Sequence, residues 1–331
     1  MKKIAKWLAG IVLILILGYM VGPHPAKPVF NSAPVVLPES LTDLEKQIND
    51  SERAVKGLKP DNEARIVWAD TTKKEKTKIA FLYLHGFPAS QGEGAPVHTD
   101  LARAFHANLY LSRLAEHGIE RGDSTMIDLK ADKWEASAEK ALQIAERLGD
   151  EVVIIGTSGG GALTVFLASR HPEIKSIILY SPCARVYDKR SFILNKPWGV
   201  QIVRLIKGGP VIRDSSISKL HSNYWDLNYR IEGVAALVNL YSNIMKPEIL
   251  AKVKCPVFMA YYYKNEQEQD NTAYVPAMLK MFDELGTPED LKRKEAFPEA
   301  GAHVISSYIR TKEWQHVENE TNKFLTEVVK L

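Results

Sequence analysis

The pentapeptide Gly156-Thr157-Ser158-Gly159-Gly160 matches the pattern G-x-S-x-G and decides the fold prediction. The residues before it, 152–155, are all Val or Ile and predict a buried strand, while 162–169 predicts a helix. A nucleophile on so tight a strand-to-helix turn needs neighbours without side chains, because the helix must pack close to the strand. The pattern therefore predicts Ser158 as a nucleophile, with the Gly159 N–H at the helix start as a donor to an oxyanion.

The glycine-rich stretch has two other interpretations. A phosphate-binding loop would need Lys followed by Ser or Thr after the glycines, or the pattern G-x-G-x-x-G, and neither occurs here. These residues alone do not exclude the second interpretation, a glycine-rich turn with a purely structural role.

A second motif, His85-Gly86-Phe87, ends the apolar segment 79–84, which predicts another strand. Such an end can turn the Phe87 N–H toward the same oxyanion. We expect His85 to stabilise the turn rather than act as the base, because a base has to reach Ser158 from a different loop.

Strand and helix patterns alternate along most of the chain. They predict an α/β fold, a central and mostly parallel sheet with helices on both faces. The expected strands are 66–69, 79–84, 152–155, 177–181 and 257–263, and the expected helices begin near 41, 131, 162, 275 and 314. The residues of 184–252 give helical, aromatic-rich patterns without a clear strand, which indicates an insertion over the sheet.

These motifs, in this order and spacing, resemble the α/β-hydrolase superfamily over residues 64–330. The His-Gly-Phe loop, the insertion and the segment Lys254-Cys255-Pro256-Val257 look more narrowly like carboxylesterases and monoacylglycerol-lipase-like serine hydrolases. The resemblance implies a helical lid over the site and a chain order of serine, acid and histidine. It implies neither a metal nor an organic cofactor, since serine acyl transfer needs none.

The implied histidine is His303, which lies in a loop of small residues before the terminal helix. The implied acid is Asp270, because it precedes a Val-Pro step and a helix, as the family's acid does. The interval is slightly longer than usual here, so Glu266 and Glu268 in the same loop stay open as alternatives. Without the resemblance, each of the three acids would be read as a solvated loop charge.

The composition excludes several classes of protein. The chain has 331 residues and a net charge of +3, an excess that Lys2, Lys3 and Lys6 account for, so no basic nucleic-acid-binding domain follows. The two cysteines, Cys183 and Cys255, are expected to be free thiols. The sequence contains no HExxH motif, and no metal site is predicted.

The N-terminus divides into residues 1–22, a membrane anchor or signal segment, and 23–38, a Pro-rich tether before the hydrolase domain of 39–331. Residues 7–22 carry no charge, and residues 19–22 lack a clear small-x-small cleavage pattern, which favours an uncleaved anchor over a cleaved signal. A buried core helix is a further alternative. The preceding lysines predict a cytoplasmic N-terminus and an extracytoplasmic catalytic domain, secreted if the segment is cleaved.

The expected reaction is hydrolysis of a carboxylic ester through an acyl-enzyme. Peptidase, amidase or acyltransferase activity on the same triad stays open, as does a non-catalytic, membrane-tethered binding protein. Apolar residues of the insertion predict an apolar acyl pocket and a preference for neutral short- or medium-chain esters over charged ones, unless they form the insertion's own core. They are Trp198, Ile202, Leu205, Ile206 and Trp225.

Overall fold

The computed structural model describes residues 2–31, 33–215 and 217–331. The strands are β1 (Arg65–Val67), β2 (Thr77–Leu84), β3 (Asn108–Leu111), β4 (Gly149–Thr157), β5 (Ser176–Tyr180), β6 (Val211–Arg213), β7 (Asn228–Arg230), β8 (Val257–Tyr261) and β9 (Lys292–Ala296). The helices are α1 (Lys2–Met20), α2 (Leu41–Arg53), α3 (Val97–Ala104), α4 (Ala131–Leu148), α5 (Gly159–Arg170), α6 (Gly199–Lys207), α7 (Lys219–Tyr224), α8 (Ile231–Ile244), α9 (Pro247–Leu250), α10 (Val275–Glu284) and α11 (Trp314–Phe324).

Seven strands form one sheet in the order β1-β3-β2-β4-β5-β8-β9. Only β1 pairs antiparallel within it, and the neighbours from β3 to β9 are parallel. Parallel neighbours need crossover connections, and helices supply them here. The predicted fold class, an α/β fold with a mostly parallel sheet surrounded by helices, is confirmed.

The two faces of the sheet bury separate sets of side chains, because successive residues of a strand point to opposite faces. On one face Leu82 and Leu84 pack in a cluster with residues of α4, α5 and α8. On the other face Phe81 and Tyr83 pack in a cluster with residues of α3 and α11. The central strands are therefore covered on both sides, which explains why β4 reads as a continuous apolar run.

Two strands of the sheet, β3 and β9, were not predicted from the sequence. β3 has four residues, too few for a clear period, and β9 is the charged segment Lys-Arg-Lys-Glu-Ala at the edge of the sheet. Charged side chains are a common protection for an edge strand against pairing with another chain. Apolar patterning therefore could not reveal β9.

The segment between β5 and β8 holds α6, α7, α8 and α9, as expected, but it also contains a strand pair. β6 and β7 pair antiparallel over three residues each. The prediction that this insertion lacks strands is therefore wrong, and the shortness of both strands explains why.

The N-terminal residues lie against the body of the protein. Residues 23–31 and 33–38 contain no helix or strand. The ring of Phe30 packs on Phe166 of α5 at 5.0 Å between centroids, and the Val35 N–H donates to Gln143 Oε1 at 2.7 Å. The indole N–H of Trp198, just before α6, donates to Gly18 O in α1 at 2.9 Å.

Candidate active site

Ser158 lies at the tight turn between β4 and α5. Its backbone has φ +53° and ψ −114°, and a positive φ of this kind costs free energy in a residue with a side chain. A side chain at Gly160 would lie 2.0 Å from Leu84 O, and one at Gly156 would lie 2.3 Å from Thr164 Oγ1. The two glycines thus let α5 pack directly against the ends of β2 and β4, as the motif requires.

The loop after β2 runs alongside Ser158. A side chain at Gly86 would lie 2.8 Å from Ser158 Cβ, so only glycine allows this approach. The His85 ring accepts a hydrogen bond at Nε2 from the Leu114 N–H at 3.0 Å and lies 3.0 Å from Gly86 O through Nδ1. Burial lowers the pKa of His85 to about 4, so the ring is neutral and stabilises the turn as predicted.

Two backbone N–H groups beside Ser158 are available to a ligand. Within residues 2–31, 33–215 and 217–331, the Phe87 N–H has no hydrogen-bond partner. Gly159 is the first residue of α5, and the first-turn N–H groups of a helix have no partner inside it. These are the two groups that the sequence nominates as oxyanion donors.

His303 and Asp270 form a close pair. His303 Nδ1 lies 2.5 Å from Asp270 Oδ2, and the carboxylate is fully buried. The other carboxylate oxygen, Oδ1, accepts from the N–H groups of Thr272 and Ala273 at 2.8 and 2.9 Å. Burial lowers the pKa of His303, but the charge and hydrogen bond of Asp270 and the charge of Glu93 together outweigh it, so the pKa lies above its ordinary value.

The alternative acids lie elsewhere on the same loop. Glu266 is exposed and accepts from the Tyr263 hydroxyl at 3.2 Å, and exposed Glu268 accepts from the Asn265 side chain at 3.1 Å. The structure therefore brings Asp270, and neither glutamate, to His303.

His303 and Ser158 line one cavity of about 600 Å³. The His303 Nε2 atom is buried and has no hydrogen-bond partner within the described part of the chain. The nitrogen that could take a proton from a nucleophile is therefore free, while its partner nitrogen is held by Asp270.

The wall of this cavity is largely apolar on the side of the insertion. It includes Ile212, Leu227, Tyr229, Val234 and Leu237. Of the five insertion residues expected to form the pocket, only Trp225 lines it. Leu205 and Ile206 are exposed on the outer side of α6, so that part of the prediction is wrong: an apolar pattern on a helix does not reveal what it faces.

Glu93 is a cavity residue that the sequence analysis missed. Its carboxylate is fully buried, and Oε2 accepts from the Gly86 N–H at 2.5 Å, so it holds the loop that carries Phe87. Burial raises the pKa of Glu93 to about 7, against the opposing effects of that hydrogen bond and of His303. The flanking Gly92 and Gly94 were the only signal in the sequence, and they do not identify a site.

Replacing Glu93 by glutamine is expected to change how stability depends on pH. A carboxyl whose pKa is raised in the folded state binds a proton more tightly there, so stability falls as pH rises from about 4.5 to about 7. We expect Glu93→Gln to remove up to about 3 kcal/mol of this fall, measured by urea unfolding at pH 5 and pH 8. The exposed Glu75→Gln is the control, and an identical fall in the Glu93→Gln variant and the wild type would refute the prediction.

The cysteines and the charged clusters have no role in this chemistry, although Cys183 lines the cavity. Cys183 and Cys255 are free, as predicted, and burial raises both thiol pKa values to about 12. In each of two groups, one histidine and two carboxylates lie close enough together to bind a metal ion. Neither group includes a residue of the cavity wall. They are Glu146, His171 and Glu173, and Glu295, His316 and Glu320.

The chain is similar in sequence or in structure to several lipases and esterases. No protein-family model matches the chain. A stretch of 104 residues is 30% identical to a thermostable monoacylglycerol lipase of Bacillus sp. (strain H-257), and it spans 31% of this chain and only 40% of that lipase.

Solved structures match over most of the chain. A structure from work on LipS and LipT, two metagenome-derived lipolytic enzymes, has a TM-score of 0.64 and 18% identity, covering 82% of this chain and 99% of that one. A soluble variant of monoglyceride lipase from Saccharomyces cerevisiae has a TM-score of 0.59 and 17% identity, covering 80% and 90%. The chain therefore has the α/β-hydrolase fold.

Proposed function

We propose that this chain hydrolyses carboxylic esters through an acyl-enzyme, with Ser158 as nucleophile, His303 as base and Asp270 as the orienting acid. The observation that carries the proposal is the free, buried Nε2 of His303 in the cavity that Ser158 lines, with Nδ1 held 2.5 Å from Asp270. The direct test is hydrolysis of 4-nitrophenyl butanoate by the purified protein, with Ser158→Ala as the control.

In the acylation step, Ser158 Oγ attacks the ester carbonyl carbon as its proton passes to His303 Nε2. The carbonyl oxygen becomes an oxyanion, which accepts hydrogen bonds from the Phe87 and Gly159 N–H groups. The bond from carbon to the alcohol oxygen then breaks, and the Nε2 proton goes to that oxygen. The alcohol leaves and the acyl group stays on Ser158.

In the deacylation step, water takes the place of the alcohol. His303 Nε2 removes a proton from the water as its oxygen attacks the acyl carbon, and the same two N–H groups bind the second oxyanion. The proton returns to Ser158 Oγ as the acyl bond breaks. Asp270 keeps the Nδ1 proton in place and stabilises the imidazolium that forms in both steps.

The comparisons support ester chemistry over the alternatives. The partial match to a monoacylglycerol lipase and the structural likeness to lipolytic enzymes favour an ester over a peptide or amide. A non-catalytic binding protein would have no need of a strained serine and a free base nitrogen in one cavity, with the free Phe87 N–H beside them. Acyl transfer to an alcohol would use the same residues.

The substrate's acyl group is proposed to be apolar. Ile212, Leu227, Val234 and Leu237 line the cavity on the side of the insertion, where burial of a hydrocarbon chain is favourable. This part of the insertion would act as a lid over the acyl chain.

The N-terminal helix is proposed to be an uncleaved membrane anchor that holds the catalytic domain on the extracytoplasmic side. Residues 3–20 of α1 are long and apolar enough to cross a membrane, with none of that span buried. A signal sequence has the same properties, in which case the protein would be secreted. The basic residues Lys3 and Lys6 precede the apolar run, as expected for a cytoplasmic N-terminus.

A membrane anchor makes a simple prediction for a shortened chain. The full-length protein is expected to sediment with membranes, whereas a chain starting at Pro23 should be soluble with unchanged ester hydrolysis. Starting at Pro23 keeps Phe30 and Val35, which contact α5 and α4. Fractionation with activity assays measures both, and full-length protein of unprocessed mass in the soluble fraction would contradict the anchor.

A further inference from the structure

Arg310 is a cationic residue of the cavity wall that has no part in the acyl-transfer steps. Arg310 lies in the loop that follows His303, is half-buried and lines the cavity. Its Nη1 lies 3.1 Å from His221 Nε2. Within the described residues, no carboxylate lies close enough to form a salt bridge with it.

His221 accepts a hydrogen bond from Arg310 and holds the guanidinium in place. The side chain is 7% exposed, and its ring stacks on Trp225 with centroids 4.7 Å apart and planes 27° apart. A guanidinium can only donate, so Nε2 of His221 accepts and Nδ1 carries the hydrogen.

The carboxylates around the cavity each have another partner. These pairs are Asp188 with Arg190 at 2.9 Å, Asp214 with the Tyr229 hydroxyl at 3.0 Å, Asp226 with Lys59 at 3.4 Å, and Glu93 with the Gly86 N–H at 2.5 Å. None of these carboxylates forms a salt bridge with Arg310. The charge of Glu93 raises the pKa of Arg310 without direct contact.

Partial burial of an unpaired guanidinium is unfavourable, because it loses hydration without gaining an ion pair. Burial accordingly lowers the pKa of Arg310, and Glu93 offsets this in part. An anionic group bound against the remaining N–H groups of Arg310 would supply the missing ion pair. Bidentate recognition of carboxylate or phosphate oxygens is the geometry that arginine supports best.

The position of Arg310 indicates which part of the substrate it meets. His303 Nε2 gives its proton to the leaving alcohol, so the alcohol lies on the side of His303. Arg310 lies in the same loop as His303, and both side chains line the cavity. The apolar residues that would hold the acyl chain belong to the insertion instead.

We propose that Arg310, held in place by its hydrogen bond to His221, forms an anion-binding subsite for the leaving-alcohol part of the substrate. The substrate class is then an ester with an apolar acyl group and an alcohol that carries a carboxylate or a phosphate. This inference rests on the proposed ester hydrolysis. It replaces the sequence-based expectation that charged esters are disfavoured, since nothing in the sequence marks Arg310 as a cavity residue.

The test compares anionic and neutral esters with the same acyl group. The substrates are 4-(butanoyloxy)benzoate and its methyl ester, and 4-(butanoyloxy)phenyl phosphate and its dimethyl ester. The measured quantity is the ratio of kcat/KM for the anionic ester to that for its neutral partner. We expect Arg310→Gln to lower this ratio roughly tenfold to hundredfold, mostly through KM, for the anion that the subsite takes.

Further variants separate a local effect from a general one. Arg310→Lys keeps the charge without the fork of donors, so its ratio should fall between the wild type and Arg310→Gln. Arg293→Gln removes an equal charge at β9, where Arg293 pairs with Glu327 at 3.2 Å, and should leave the ratio unchanged. If Arg310→Gln does not fold, the Arg310→Lys and His221→Leu ratios decide, and both should fall.

The outcomes distinguish this subsite from the proposed function. Equal ratios in the wild type and the Arg310 variants, with the neutral esters hydrolysed through Ser158, would overturn the subsite and leave the hydrolase intact. If no ester is hydrolysed, binding of 4-hydroxybenzoate and 4-hydroxyphenyl phosphate is measured by ligand-observed NMR. If Arg310→Gln abolishes binding, the subsite is supported although the hydrolase is not. If the wild type and Arg310→Gln bind equally well, the subsite is overturned.

Discussion

Replacing Ser158 by alanine is expected to lower kcat for ester hydrolysis by roughly 10⁴ to 10⁶-fold while the protein stays folded. The loss follows because alanine cannot form the acyl-enzyme, and water must then attack directly. The fold should survive because the backbone holds the turn: the Ser158 N–H donates to Tyr180 O at 2.9 Å and the Cys183 N–H donates to Ser158 O at 3.0 Å. The measurement is steady-state hydrolysis of 4-nitrophenyl butanoate, with thermal unfolding as the check on folding.

A neighbouring serine provides a matched control. Ser181 follows β5, is fully buried and also has a positive φ, +43°, but it is absent from the wall of the cavity. Ser181→Ala should retain activity within a few-fold of the wild type. If Ser158→Ala hydrolyses the ester as fast as Ser181→Ala does, Ser158 is not the nucleophile.

Asp270→Asn is expected to lower kcat by roughly 10³ to 10⁴-fold. The amide oxygen of the asparagine would have to accept from the N–H groups of Thr272 and Ala273, because Asp270 Oδ1 does so now. The amide NH₂ would then face His303 Nδ1, and an NH₂ group can only donate. The His303 proton would move to Nε2, and the imidazole could no longer take a proton from Ser158.

The two glutamates of the same loop are the controls for this prediction. Glu266→Gln and Glu268→Gln change exposed side chains that bond to Tyr263 and Asn265, and we expect kcat within a factor of about two of the wild type. A crippled Glu266→Gln or Glu268→Gln variant beside a near-normal Asp270→Asn would assign the acid to that glutamate instead.

The turn at Ser158 could be predicted because it depends on local chemistry. An uninterrupted Val and Ile run, glycines at 156 and 160 and an apolar helix all lie within one short stretch of the sequence. The structure needs each feature, since side chains at Gly156 and Gly160 would collide with Thr164 and Leu84. Most of the parallel sheet followed from the same alternation of strand and helix patterns.

The resemblance favoured Asp270 as the acid, but residue type alone could not exclude the two glutamates, because the position of the acid depends on how a loop folds. Asp270 accepts two backbone N–H groups just after it, a local turn that buries the carboxylate, while Glu266 and Glu268 stay in solvent. Three acids within five positions look equivalent until that turn is seen.

Glu93 and Arg310 could not be predicted because they enter the cavity from parts of the chain without a motif. Glu93 precedes α3 by a few residues, and Arg310 lies in a loop before α11. Charged residues in such loops are usually solvated, so residue type favours the wrong interpretation. Their burial beside Ser158 and His303 is a property of the folded chain.

The central claim, a serine that forms a covalent acyl-enzyme, is tested most directly by fluorophosphonate labelling followed by peptide mass spectrometry. The reagent phosphonylates a serine hydroxyl that an adjacent base has activated, with loss of fluoride. We predict one adduct per chain, on the peptide that contains Ser158, and its absence when His303 is replaced by alanine. An unlabelled wild-type protein, or an adduct on another residue with Ser158 unmodified, would contradict the claim.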